Sequence, residues 1–292
     1  MLYTLKNDYL TIQACDLGAE LHSVLSSDGC EYLWQGDPAH WTGRAPWMFP
    51  FCGRQFEGKY AYNGKLYEIT NHGFAKLMPF TMTSQTEDSM TFTLLSSDET
   101  RKIYPFDFSF SVTYRLIGNR IAIRLTVENT GKELLPFSVG AHPGFRAPVN
   151  GQGAFEDCYL EFGEYCCPDK LIFTENLLPN GKRCAYPLRN GRIIDLNRPM
   201  FYNDATFLAR TARTVTLRSA ADRHSVTVKY TDFPYVGVWT KPHDDHADYV
   251  CIEPWSGLPA VDGTHRRLET ESDTYRLPPD GIKTFDLEYM FE

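Results

Sequence analysis

Residues 108–128 read FSFSVTYRLIGNRIAIRLTVE. Apolar and polar residues alternate on both sides of Gly118-Asn119, a dipeptide typical of tight turns. A period of two places the apolar side chains on one face of a strand and the polar side chains on the other. The segment is therefore predicted to form a β-hairpin with one buried face and one wetter face.

The same alternation recurs along the chain. A second hairpin is predicted over residues 60–67, with its turn at Asn63-Gly64. Further strands are predicted at residues 90–94, 159–162, 215–217, 226–230, 236–239 and 285–291. Nothing keeps a helical apolar spacing for a dozen residues, and the 21 glycines and 18 prolines are spread throughout. These patterns predict an all-β protein, a large antiparallel β-sandwich that forms a single domain over residues 1–292.

Composition narrows the class of protein. The chain has 292 residues, 42% of them hydrophobic and 14% aromatic, which suffices for a large core. A formal net charge of −8 without a run of Lys or Arg argues against nucleic acid and anionic membranes as partners. No apolar stretch is long enough to span a bilayer, and the N-terminus lacks a secretion signal, so we expect a cytoplasmic protein. All eight cysteines are accordingly expected to be reduced thiols.

Two titratable residues stand where apolar runs end. His142 lies in GAHPGF, residues 140–145, and Glu253 lies in CIEPW, residues 251–255. Burying such a group costs several kcal/mol unless it is paired or faces a cleft. Imidazole and carboxylate are also the commonest proton-transfer groups at neutral pH. The two segments therefore predict an acid–base site, although a core histidine and an ion pair between Glu253 and Arg54 are the structural alternatives.

Three more residues are candidates for ligand binding. Arg54 follows Gly53, His72 precedes Gly73, and Asp204 is a polar residue immediately before the strand-like residues 205–208. Each has a structural alternative: an ion pair for the arginine, a backbone hydrogen bond for the histidine and an ordinary turn for the aspartate. HDDH at residues 243–246 is interpreted as a solvated turn, so we do not expect it to bind a metal ion. P-loop, GxGxxG, GxSxG and HExxH motifs are absent from the sequence, and we expect no organic cofactor.

Aromatic residues accompany these polar candidates. The apolar C–H faces of sugar rings lie on aromatic rings, while sugar hydroxyls need side-chain donors and acceptors. The combination favours a monosaccharide or a sugar phosphate as ligand, with Arg54, Lys76 or Arg146 able to bind a phosphate. The aromatic candidates are Trp34, Trp41, Trp47, Phe145, Trp239 and Trp255.

These motifs, taken in order along the chain, resemble those of the aldose 1-epimerase (mutarotase) family. The resemblance runs from Gly18-Ala19-Glu20-Leu21 to the last strand, and the Pro-Trp continuation after Glu253 resembles the LacX-like branch. It implies a β-sandwich of the galactose mutarotase type with sugar bound in an open cleft. It further implies that His142 is the general acid at the ring oxygen and Glu253 the general base at the anomeric hydroxyl. Arg54, His72 and Asp204 match sugar-binding positions.

The expected reaction is interconversion of the α and β anomers of a hexose or hexose phosphate by ring opening and reclosure. Glu253 would begin as a carboxylate and His142 as an imidazolium. The main alternative is a carbohydrate-binding protein without turnover on the same fold. A glycoside hydrolase or lyase is a second alternative, but such enzymes usually use paired carboxylates, and this chain offers one strong candidate.

Overall fold

The computed structural model describes residues 1–270 and 273–292, which contain 25 strands, one α-helix and four short 3₁₀ helices. In chain order the strands are β1 (Leu2–Lys6), β2 (Leu10–Cys15), β3 (Leu21–Ser26), β4 (Trp47–Met48), β5 (Lys59–Tyr62), β6 (Lys65–Glu68), β7 (Thr81–Gln85), β8 (Ser89–Leu95), β9 (Phe108–Ile117), β10 (Arg120–Asn129), β11 (Leu135–Phe137), β12 (Gly140–Ala141), β13 (Gly144–Arg146), β14 (Cys158–Phe162), β15 (Asp169–Phe173), β16 (Pro179–Ala185), β17 (Ile193–Asp195), β18 (Thr206–Ala209), β19 (Thr214–Ser219), β20 (Val226–Lys229), β21 (Tyr235–Trp239), β22 (Tyr249–Trp255), β23 (Arg266–Arg267), β24 (Tyr275–Leu277) and β25 (Ile282–Phe291). The helices are α1 (Asp98–Ile103) and the 3₁₀ turns Phe56–Gly58, Ala75–Leu77, Phe155–Asp157 and Arg198–Phe201.

The alternating stretch at residues 108–128 forms the predicted hairpin. β9 and β10 pair in an antiparallel register that joins Ile117 to Arg120 across the turn. From Phe108 to Leu116 the apolar side chains of β9 are buried, while the serines and the threonine between them are only partly buried. The apolar face of this hairpin therefore supplies one wall of the core, as the period of two predicts.

Two large sheets face each other across the main core. The nine-stranded sheet has the order β17-β14-β19-β20-β25-β10-β9-β8-β7, and the eight-element sheet has β16-β15-β18-β21-β22-β12-β4 with β13 also paired to β22. One buried cluster includes Val112 and Leu125 from the first sheet and Val236, Val250 and Ile252 from the second. The fold is thus the antiparallel β-sandwich that the sequence predicts.

Three smaller sheets accompany the two large ones. β1-β2-β3 form one, β11-β24 a second, and β23-β5-β6 a third. The predicted hairpin at residues 60–67 forms from β5 and β6, and Asn63 and Gly64 both adopt positive φ, as a two-residue hairpin turn requires. The pairing of β23 with β5 is parallel, an exception that the local alternation does not encode.

The structure shows the state of the cysteines and the character of the helices. All eight cysteines lie within the described residues, and each carries a free thiol. In the described part of the chain, no helix combines the length and the apolar character that crossing a membrane would need.

Candidate active site

Sheet register brings His142 and Glu253 together. β12 pairs Gly140 with Trp255, and β13 pairs Gly144 with Cys251. The two residues between these short strands interrupt the ladder, and the same register sets His142 opposite Glu253. Residues directly opposite each other in an antiparallel pair have neighbouring side chains. The acid–base candidates are therefore adjacent because of strand pairing, although about 110 residues separate them in sequence.

β22 divides its side chains between the core and the site. Val250 and Ile252 point into the core between the sheets. Glu253 alternates with them and so projects from the opposite face of the sheet. On its other side Gly237 lies opposite Glu253, and a side chain there would come within 3.3 Å of the Glu253 Cβ. Glycine at this register position leaves room for the carboxyl group.

The two groups are in direct contact and nearly dry. His142 Nε2 lies 3.3 Å from Glu253 Oε1, and their side chains are 11% and 2% exposed. The indole Nε1 of Trp255 donates a hydrogen bond of 3.2 Å to Glu253 Oε2. The Nδ1 atom of His142 has no hydrogen-bond partner among the described residues.

Burial favours the neutral forms of both groups. It lowers the pKa of His142 to about 3, and the charge of Lys76 adds to this effect. Burial also raises the pKa of Glu253 well above its ordinary value, with the charge of Asp204 acting in the same direction and the Trp255 hydrogen bond against it. Burial thus favours a single shared proton on the pair, and it favours the carboxyl group as the site of that proton. This differs from the ion pair expected from the sequence.

His72 is fixed by the backbone of Gly53. The amide of Gly53 donates to His72 Nδ1 at 3.1 Å, while the amide of His72 donates to the carbonyl of Gly53 at 3.0 Å. Nδ1 is therefore an acceptor, and the ring proton of the neutral imidazole lies on Nε2. Burial lowers the pKa of His72 well below its ordinary value, and the charges of His142, Lys76 and Arg54 reinforce this.

Both turns that carry this contact need glycine. Gly73 has a φ of +72°, and a Cβ there would lie 2.1 Å from the carbonyl oxygen of Phe49. Gly53 has a φ of +70°, and a Cβ there would lie 2.5 Å from Pro259. The backbone can approach these neighbours only without side chains, which explains both glycines beside the polar residues.

Asp204 stands at the opposite wall. It precedes β18 and adopts a φ of 73°. Its Oδ1 accepts a hydrogen bond of 2.8 Å from Trp239 Nε1, at the end of β21. This bond aims a partly buried carboxylate into the cleft and joins two neighbouring strands of the sheet.

All five predicted side chains line one cleft of about 310 Å³. Aromatic rings form much of its surface, and the Trp41 ring lies 5.1 Å from the imidazole of His142 at an interplanar angle of 33°. The lining residues are Trp41, Pro46, Gly53, Arg54, Asn71, His72, Lys76, His142, Phe173, Leu177, Asp204, Ala205, Phe207, Trp239, Glu253, Trp255 and Pro259.

The structure distinguishes structural from cleft-lining positions for several of the candidate residues. Glu253 is paired with His142 and not with Arg54, which is exposed at the rim. The backbone bond expected for a structural His72 exists, and the residue lines the cleft as well. Arg146 lies outside the cleft lining.

Some of the aromatic candidates line the cleft and others lie in the main core. Trp41, Trp239 and Trp255 line the cleft, whereas Trp47 and Phe145 belong to the main core. Phe207 was missed by sequence reasoning because every residue of β18 is buried, so the strand shows no alternation that would single it out.

One set of residues in the described part of the chain could hold a metal ion. Ligand atoms of His142, Cys251 and Glu253 all lie within 4.8 Å of one another. Burial raises the pKa of the Cys251 thiol well above its ordinary value, so a metal ion would have to displace its proton. The HDDH segment forms the expected turn, in which Asp244 bonds to His40 at 2.8 Å and His243 is exposed.

Comparison with known proteins agrees with this architecture. The family model described as aldose 1-epimerase matches residues 1–261. The chain belongs to the aldose 1-epimerase family. Among curated relatives, the plasmid and chromosomal LacX proteins of Lactococcus lactis subsp. lactis are each 36% identical over 267 residues, which cover 88% of either chain.

Two solved structures share the whole fold. A galactose mutarotase related enzyme from Lactobacillus acidophilus has a TM-score of 0.94 at 32% identity, covering 100% of this chain and 97% of its own. A galactose mutarotase-like protein from Lactobacillus casei has a TM-score of 0.93 at 28% identity, covering 100% of both chains. The family resemblance and the fold class predicted from the sequence are thereby confirmed.

Proposed function

We propose that this member of the aldose 1-epimerase family is an active mutarotase, which interconverts the α and β anomers of a hexose or hexose phosphate. The observation that carries the proposal is the buried contact of 3.3 Å between His142 and Glu253 at an aromatic-lined cleft. A binding protein needs hydroxyl contacts and aromatic rings, but it has no need of a dry imidazole–carboxyl pair, which is costly to bury.

Ring opening requires one proton to leave and one to arrive. Glu253 as carboxylate takes the proton of the anomeric hydroxyl while His142 as imidazolium protonates the ring oxygen, and the C1–O5 bond breaks. The product is the open-chain aldehyde. Rotation about C1–C2 presents the other face of the carbonyl group, and the two residues then reverse their roles to close the ring.

Burial of His142 and Glu253 stabilises one stage of this cycle more than the others. After ring opening, Glu253 holds a proton and His142 is neutral, which is the arrangement that burial favours. Before opening, the sugar hydroxyl donates to the carboxylate and the ring oxygen accepts from the imidazolium, and both contacts stabilise the charged forms. The dry environment thus favours the open-chain intermediate, while contact with the closed sugar favours the ionised pair.

The remaining predicted residues would orient the sugar. His72 offers its Nε2 proton to a hydroxyl oxygen, Asp204 accepts from ring hydroxyls, and Arg54 supplies a fork of donors at the rim. Aromatic rings on the cleft wall support the apolar faces of the sugar. We propose residues 1–292 as one functional domain, because both large sheets combine strands from the two halves of the chain.

Anomer exchange measured by NMR tests the proposal. Freshly dissolved α-glucose and α-galactose should reach equilibrium faster with the wild-type protein than in buffer. Glu253→Gln keeps the size and hydrogen-bonding reach of the side chain but removes the base, so its rate should fall by about 10²–10⁴-fold. Glu288→Gln is the matched control, since Glu288 pairs with Arg120 far along the other sheet.

Two results would decide against turnover by this pair. Glu253→Gln with a near-normal rate would remove Glu253 from the base role. Sugar binding by the wild type without accelerated exchange of neutral or phosphorylated hexoses would favour the carbohydrate-binding alternative.

A further inference from the structure

The indole of Trp41 is oriented toward His142 differently from the other rings around this histidine. The Trp41 and His142 ring centroids lie 5.1 Å apart at an interplanar angle of 33°. Trp239 and His72 approach the same imidazole at 78° and 87°. Among the rings that contact His142 in the described part of the chain, Trp41 alone is therefore close to parallel with the imidazole.

Two glycines make room for this indole. A Cβ on Gly144 would lie 2.9 Å from Trp41 Cζ3, and a Cβ on Gly43 would lie 2.5 Å from Trp41 Cζ2. Neither glycine has a φ in the left-handed region, so the backbone conformation does not require glycine at these two positions. The position of the Trp41 ring requires it, because a methyl group at either place would displace the ring.

A buried ion pair fixes the residue that precedes the tryptophan. His40 Nδ1 lies 2.8 Å from Asp244 Oδ2, and the two side chains are only 19% and 14% exposed. Lys241 Nζ donates a hydrogen bond of 3.1 Å to the carbonyl of Ala39. Residues 34–46 contain neither a strand nor a helix, so these contacts with the turn after β21 replace the support that a sheet would give.

We propose that Trp41 is a positioning residue of the acid–base pair, which stabilises the imidazolium form of His142, and that the His40–Asp244 pair holds the indole in place. The inference rests on the proposed function, because it takes His142 as the acid. Burial lowers the pKa of His142 to about 3, so ring opening needs a group that offsets the cost of the charged ring. An aromatic face within about 6 Å attracts a cation, most strongly where water is excluded.

Anomer exchange of glucose and galactose by Trp41 variants tests the proposal. Trp41→Leu keeps an apolar side chain without an aromatic face, so kcat should fall by about 10–30-fold with little change in KM. Trp41→Phe retains an aromatic face and should recover much of the lost kcat. Trp41→Met replaces the leucine variant if urea unfolding shows that Trp41→Leu does not fold.

Variants of His40 test the ion pair. His40→Ala should lower kcat by a smaller factor than Trp41→Leu, and His40→Asn, whose amide can still donate to Asp244, should restore much of it. In a Trp41→Leu background, His40→Ala should lower kcat no further, because it acts through the indole. His224→Ala is the matched control: this histidine lies 3.1 Å from Asp28 outside the cleft lining, and its loss should leave kcat unchanged.

The outcomes separate this inference from the proposed function. Exchange by the wild type with an unchanged kcat in a folded Trp41→Leu variant overturns the inference and supports the function. A raised KM with kcat spared also overturns it, since Trp41 would then be a platform for the sugar. Additive losses in the double variant exclude the His40–Asp244 pair from the role.

Absence of exchange with any hexose would defeat the proposed function, and NMR then tests the positioning without turnover. The ring current of the indole should displace the resonances of the His142 ring protons, which are assigned by their loss in His142→Asn. Resonances that move in both Trp41→Leu and His40→Ala would support the placement of Trp41 by the ion pair. Resonances that stay unchanged in the two variants would overturn it.

Discussion

Replacing Trp255 by phenylalanine removes the indole hydrogen bond to the carboxyl group of Glu253, the proposed general base. The indole Nε1 donates to Glu253 Oε2 at 3.2 Å, and Trp255 is only 2% exposed. Phenylalanine keeps an aromatic ring beside Phe207, whose ring lies 4.3 Å away, but it has no donor. The substitution therefore tests hydrogen bonding to the carboxylate more than packing.

The expected magnitude follows from the character of the bond. A hydrogen bond to a charged group contributes about 1.5–3 kcal/mol. The Trp255 bond lowers the pKa of Glu253, so its loss raises that pKa further and leaves less of the carboxylate that begins ring opening. We therefore expect kcat to fall by roughly 10–100-fold, at about 1.4 kcal/mol for each factor of ten.

The assay is anomer exchange at saturating sugar, with urea unfolding to establish that the variant is folded. Trp239→Phe is the matched control, because it removes an indole donor of the same cleft that bonds to Asp204 at 2.8 Å. It should raise KM and largely spare kcat. Wild-type kcat in a folded Trp255→Phe variant would refute the reasoning, since the indole would then contribute nothing to the reacting carboxylate.

Three further predictions concern pH and stability. First, kcat/KM should stay level as the pH falls from about 7 to 5, because the pKa of His142 is lowered to about 3 and the pair keeps its single proton over this range. Second, Gly73→Ala should lower the free energy of unfolding by about 2–5 kcal/mol, since its Cβ would lie 2.1 Å from a carbonyl oxygen. Third, the pKa of His224 is raised, because its hydrogen bonds to Asp222 and Asp28 outweigh the opposing effect of burial. The stability that protonated His224 contributes should therefore be fully present below about pH 6.5 and be lost as the pH rises through the raised pKa.

For each of the three predictions, one experimental result would contradict it. An inflection of kcat/KM near pH 6.5, measured by polarimetry, would mean that His142 titrates as an exposed histidine. Gly64 has the same φ of +72° as Gly73, but a Cβ there would have no atom within 4 Å. If Gly64→Ala lowered the free energy of unfolding as much as Gly73→Ala, the backbone conformation alone would account for both losses. For His224→Asn, urea midpoints that depend on pH as steeply as in the wild type would exclude the histidine as the source.

Local sequence predicts much of the sandwich because the strands have unequal faces. β9 alternates buried and partly buried residues and could be recognised from FSFSVTYRL alone. β18 is buried along its whole length, so no period is visible, and Phe207 at the cleft could not be identified. The parallel pairing of β23 with β5 joins residues about 200 positions apart and has no local signature.

The sequence was sufficient to select five candidate residues that line one cleft, but it was not sufficient to predict their electrostatics. His142 and Glu253 could be singled out because polar groups at the ends of apolar runs are costly. Their contact depends on the register of β12 and β13 against β22, which only the folded sheet defines. Their protonation could not be predicted either, because the pKa of each group reflects burial by residues from distant strands.

The placement of His142 opposite Glu253 in the sheet register divides the cleft into two parts that can change independently. The spacing of His142 and Glu253 is set by the backbone pairing of β12 and β13 with β22, and a slip of one residue would turn Glu253 into the core. In the proposed function the rest of the sugar contacts Arg54, His72 and Asp204, which lie on turns and loops. Turns accept substitution and insertion more readily than paired strands do. Under the proposed function, sugar preference can therefore change at these turns while the paired strands keep the spacing of His142 and Glu253.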